Sequence, residues 1–134
     1  MVNPGLQRVV PQRGFTLIEL IVAMAIVGLL LAIAAPRYID SVERAREASL
    51  RSSLAVLRQA IDQFAADRGR YPRALEELVE LRYVRAVPQD PLTGRSDSWL
   101  LLSPPPDADL QGQAWDVRSG AGGRGRDGSL YAQW

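Results

Sequence analysis

Residues 13–38 read RGFTLIELIVAMAIVGLLLAIAAPRY, and the interpretation of this run decides the fold of the chain. From Phe15 to Ala35 it is apolar or small apart from Thr16 and one charge, Glu19, close to its start. About 20 helical residues cross the hydrocarbon core of a bilayer, so the length suits a spanning helix. Gly28 is no obstacle, because glycine is frequent in helices surrounded by lipid. Glu19 is the difficulty, since an ionised carboxylate in that setting is costly unless it reaches water or finds a partner.

Three readings compete. A secretory signal needs a basic start, an apolar stretch and a small-residue cleavage site, which Arg8, Arg13, the run from Phe15 and the triplet Ala32-Ile33-Ala34 supply. The run exceeds the usual apolar stretch of about 7–15 residues, however, and Glu19 interrupts it. A plain membrane anchor fits the length and gives no reason for the carboxylate. The third reading puts a cleavage before the run, between Gly14 and Phe15, so that the apolar segment stays at the mature N-terminus. Phe15 then carries a free amine four residues from Glu19, about one helical turn away and on the same side. In a packed filament the carboxylate of one subunit could neutralise the amine of its neighbour.

The string Gly14-Phe15-Thr16-Leu17-Ile18-Glu19 resembles the cleavage and methylation signal of type IV pilins and of the pseudopilins of type II secretion. The resemblance implies that Gly14 is the last leader residue, Phe15 the N-methylated first residue and Glu19 the assembly glutamate. Pro36 falls where that family commonly has a helix-bending proline. A proline removes one backbone hydrogen bond and crowds the preceding turn, so a kink or local loosening is expected there. Positive charge does not settle the orientation, because Arg8 and Arg13 precede the run while Arg37, Arg44, Arg46 and Arg51 follow it. A cytoplasmic leader and an outward C-terminal domain are what the resemblance implies.

The composition narrows function from the other side. The 134-residue chain has no cysteine and no histidine, which removes disulfides, thiol nucleophiles and the usual zinc ligands and proton shuttle. Catalysis would fall to loop carboxylates such as Asp90, Asp97, Asp107 or Asp109, for which turn and solvent roles already account, so an enzyme is not expected. Every one of the 16 cations is arginine, set against 15 acids, and the arginines are spread rather than clustered. No nucleic-acid partner is expected from that balance.

After Pro36 the helical pattern continues to Gly69. Leu50, Leu54, Leu57, Ile61 and Phe64 form one apolar face, and Glu47 to Arg51 has the spacing of a favourable ion pair. The apolar face is expected to pack on the chain's own domain, since the repeat is too short for a coiled coil. Gly69 and Tyr71-Pro72 end the helix. A short helix is expected from near Pro72, through Leu75, Leu78, Val79 and Leu81. The turn Pro88-Gln89-Asp90-Pro91-Leu92-Thr93-Gly94 breaks it and resembles the loop joining helix to sheet in major pseudopilins, with Asp90 in an Asx-type turn. Strands are expected at 98–102 and 114–118, separated by a proline-rich loop, with Trp99, Trp115 and Trp134 covering the core or sheet.

The tail from Trp115 to Trp134 is glycine-rich, but it has neither the lysine nor the strand-loop-helix setting of a phosphate-binding loop. It is similar to the closing segment of the major pseudopilin, which binds calcium. Of the aspartates expected inside that loop only Asp127 is present, beside Arg124 and Arg126, whereas Asp116 reads as a strand residue. Calcium wants six to eight oxygens, so Asp127 is the single carboxylate the loop offers it. Without the ion, backbone turns and the packing of Trp134 must hold the loop.

The expected organisation is an α+β, pilin-like chain. A leader occupies 1–14, a membrane and assembly helix 15–36, and its amphipathic continuation 37–68. A C-terminal region with a short helix, a small antiparallel sheet and the tail loop fills 69–134. The resemblance implies a non-enzymatic subunit of a secretion pseudopilus, held by one span in a bacterial inner membrane with its C-terminal domain in the periplasm. Its implied partners are copies of itself, minor pseudopilins, prepilin peptidase and the inner-membrane secretion platform. The alternative is a type IV pilin or minor pilin in adhesion, motility or DNA uptake, for which Arg124 and Arg126 are the only local basic cluster.

Overall fold

The computed structural model describes residues 14–134. Of the expected leader, Gly14 is therefore included, while Arg8 and Arg13 lie outside the described residues. The architecture is α+β as expected: α1 (Leu17–Arg68), α2 (Leu75–Glu80), β1 (Leu100–Leu102), β2 (Asp116–Arg118) and a closing 3-10 turn, Tyr131–Gln133. The chain divides into two units, one up to Asp40 and the other Ser41–Trp134.

In the first unit α1 runs on through Pro36 without leaving the α conformation. The helix is long and apolar enough to cross a membrane by length and composition. Every large apolar side chain from Phe15 to Ile39 is exposed, Phe15 at 85% and Leu20 at 52%. An apolar surface so continuous calls for lipid or other protein around it.

In the second unit the expected face of α1 is the core. Leu50, Leu54, Leu57, Ile61 and Phe64 are buried and meet Leu75 and Leu78 of α2, together with Trp99 and Val117. Each such side chain contributes about 1.5–3 kcal/mol by leaving water. Gly69 closes α1 in the left-handed region at φ 67°, its amide donating to the Ala65 carbonyl at 2.9 Å. This is the conformation in which glycine ends helices most readily.

The sheet is antiparallel and shorter than its sequence pattern, pairing Leu100 with Arg118, Leu101 with Val117 and Leu102 with Asp116. Pro104 to Pro106 have no amide to extend the ladder. Beyond β2 the backbones come so close that a Cβ on Gly120 would stand 2.0 Å from the Ser98 carbonyl oxygen. Trp99 is buried as expected and donates its indole N–H to the Pro88 carbonyl at 2.8 Å. Trp115 corrects the expectation, being 41% exposed. It stands ahead of the first residue of β2, where the alternation that buries Val117 no longer governs side-chain direction.

Candidate functional site

The six residues of the N-terminal motif sit at the head of α1. Gly14 is exposed, and a Cβ there would meet nothing within 4 Å. Among the described residues neither packing nor a positive φ demands glycine at this position. Phe15 is likewise free of internal contacts that would bury it. Thr16 then caps the helix: its Oγ1 accepts the Glu19 amide at 3.3 Å, while its carbonyl accepts the Leu20 amide at 3.2 Å. Threonine followed three residues later by glutamate is the capping-box spacing, a second signal carried by the same motif.

The cap puts Glu19 in the first turn of α1. There the unpaired amides of the helix start favour a negative charge, which gives the carboxylate a local reason to be tolerated. The apolar residues on both sides leave it as the only charge between Phe15 and Ala35. Pro36 lies further along the same helix, and its missing amide frees the carbonyl of Ala32, four residues back.

Of the four loop carboxylates, Asp90 and Asp97 are occupied in structural roles. Asp90 is fully buried, with Oδ1 accepting the Leu92 amide at 2.8 Å in the expected Asx turn. Its Oδ2 accepts the Ser119 hydroxyl, a partner 29 residues away. Asp97 is held by Arg95 through two hydrogen bonds, at 2.8 and 2.7 Å, which lower its pKa.

The tail is bound to α1 differently from the expected pairing. Among the described residues no ion pair joins Glu47 to Arg51, and both reach the tail. Glu47 accepts the Arg126 amide at 2.9 Å and the Tyr131 hydroxyl at 3.2 Å. Arg51 lies 3.5 Å from Asp127 and 4.3 Å from the centre of the Trp134 ring. Asp116 is a strand residue, as expected, and it pairs with Arg58 at 2.8 Å. A groove of about 610 Å³ opens beside these residues, and its charged lining is already engaged within the chain.

The donor set around Asp127 does not fit calcium. Oδ1 accepts both the Ser129 amide at 3.0 Å and the Ser129 hydroxyl at 2.5 Å, and Oδ2 faces Arg51. The Ser129 bonds, then the Arg51 charge, hold the carboxyl below its ordinary pKa. Among the described residues no group of three or more acidic side chains gathers where an ion could bind.

The family described as "Prokaryotic N-terminal methylation motif" matches residues 11–35. "Type II secretion system core protein G" of Klebsiella pneumoniae is 34% identical over 109 residues, covering 69% of this chain and 76% of that protein. The protein of the same name from Dickeya chrysanthemi is 28% identical, covering 88% of this chain and 95% of its own length. "Type IV major pilin protein PilA" of Myxococcus xanthus is 38% identical over 66 residues, 49% of this chain and 30% of the pilin. No solved structure gives a significant match.

Proposed function

The chain belongs to the type II secretion system core protein G family, and we propose from this that it is a structural subunit of the periplasmic pseudopilus. Prepilin peptidase cuts it between Gly14 and Phe15 and methylates the new amine of Phe15. Before assembly the helix from Phe15 onward sits once across the inner membrane, with the second unit in the periplasm. The subunit performs no chemistry of its own.

Assembly moves the apolar half of α1 from lipid into contact with neighbouring copies, an exchange of one apolar surrounding for another that leaves packing and polar pairing to decide its direction. Glu19 supplies the polar pairing. In the packed interior its carboxylate meets the Phe15 amine of an adjacent subunit, and each ion removes the other's desolvation cost. Pro36 loosens the helix where the apolar half ends, so that the inner and outer halves can follow different angles in the filament.

The observation that carries this reading is the motif Gly14 to Glu19, inside the methylation match, at the head of a helix whose large apolar side chains are all exposed as far as Ile39. The relatives named as secretion proteins extend over much more of the chain than the pilin does, which favours secretion over a surface pilus. Intact-mass measurement of the protein from its native membrane tests the processing step. The expected species starts at Phe15 and carries one added methyl group; a mature chain starting at Ala35 would mean a signal peptide and overturn the reading.

A further inference from the structure

We propose that arginine side chains of α1 latch the tail of this chain in place, and that the tail requires no divalent cation. The inference stands apart from secretion and filament assembly, because it concerns the second unit alone. Glu47, Arg51, Leu54 and Arg58 recur at four, three and four residues, so they share one stripe of α1. That stripe meets the tail with two cations, one anion and one buried leucine.

Arg58 is the centre of the latch. Its Nε donates to Asp116 at 2.8 Å, while Nη2 donates to the Val117 carbonyl at 3.0 Å and to the Trp134 main-chain oxygen at 2.9 Å. A carboxylate and two carbonyl oxygens are the kind of donor set that a hard cation attracts. Here a guanidinium fills it, with a planar fork of donors that ties α1, β2 and Trp134 together. Arg51 adds the contact with Asp127 and the position over Trp134, whose indole N–H is held by Ser129 Oγ at 2.6 Å. Gly125 permits this closure, because a Cβ there would stand 2.5 Å from the Trp134 ring. A calcium ion at Asp127 would have to displace Arg51 from Oδ2, in a loop that also carries Arg124 and Arg126.

The test uses the full chain in detergent micelles. Thermal unfolding in 2 mM calcium and in EDTA should give the same Tm within about 1 °C, whereas Arg58→Ala should lower it by about 5 °C or more. Hydrogen exchange supplies a local readout. The Gly125 and Tyr131 amides, which bond to the Ser129 and Gly123 carbonyls, should exchange at least about tenfold faster in Arg58→Ala, while the Leu57 and Ile61 amides of α1 speed up no more than the drop in global stability requires. Arg58→Lys, which keeps the charge without the fork, should also speed tail exchange. A calcium-induced rise in Tm that Asp127→Asn abolishes would overturn the proposal, as would unchanged tail exchange in both Arg58 variants.

Discussion

At the scale of single residues, Asp90 and Glu19 are two carboxylates placed for opposite ends. Asp90 is buried and satisfied from within, through Leu92, Ser119 and its own turn, where the Gly94 amide donates to its carbonyl at 2.7 Å. Replacing it by alanine leaves the Leu92 amide and the Ser119 hydroxyl without their acceptor, at about 1–3 kcal/mol for each donor stranded away from water. Asp90→Ala should therefore destabilise the chain by roughly 3 kcal/mol, and Asp90→Asn, which keeps one acceptor oxygen, by clearly less. Denaturant unfolding of the detergent-solubilised protein checks this; equal losses in the two variants would contradict it. The Asx turn was legible because proline, aspartate and glycine stand together in 88–94. Ser119 was not, since nothing local in the sequence marks a partner 29 residues away.

Among the elements, α2 shows how a weak helix start is compensated. Its cap position is Ala74, whose side chain makes no capping bond. Glu77 takes over by reaching back to accept the Arg73 amide at 2.8 Å, while it also pairs with Arg70. The hydrogen bond from Arg70, followed by the Arg73 amide, lowers the Glu77 pKa from 4.5 to about 2. A carboxylate depressed by folding stabilises the fold above its unfolded pKa and loses that contribution as the pH falls through the folded value. Wild type should thus have a higher Tm than Glu77→Gln near neutral pH, and the gap should close between about pH 4.5 and about pH 2. Melting curves across that range decide it, and a gap of constant size would contradict the assignment.

The apolar face of α1 and its glycine stop were legible because burial imposes a period that sequence displays directly. The polar stripe was harder. Glu47 and Arg51 read as a local ion pair, because spacing along one helix cannot reveal a tail that folds back onto it. Trp115 shows the converse, an aromatic left 41% exposed just before the short strand begins. Thr16 was within reach, since a threonine three residues before Glu19 carries the capping signature unaided.

For the whole molecule, the decisive property is the division of labour between an apolar helix with exposed side chains and a unit that buries its own core. The second unit encloses a core of its own, whereas the large apolar side chains of the first are exposed as far as Ile39. In the proposed assembly Glu19 pairs with a neighbour's Phe15 amine, so substituting it separates processing from assembly. Filaments sheared from cells producing Glu19→Ala, quantified beside the mass of the membrane-bound protein, test the account most directly. The expected result is a chain still cut to begin at Phe15 and a filament yield reduced at least about tenfold, in line with the loss of a buried ion pair's partner. Filaments at wild-type yield from a correctly processed Glu19→Ala chain would contradict it.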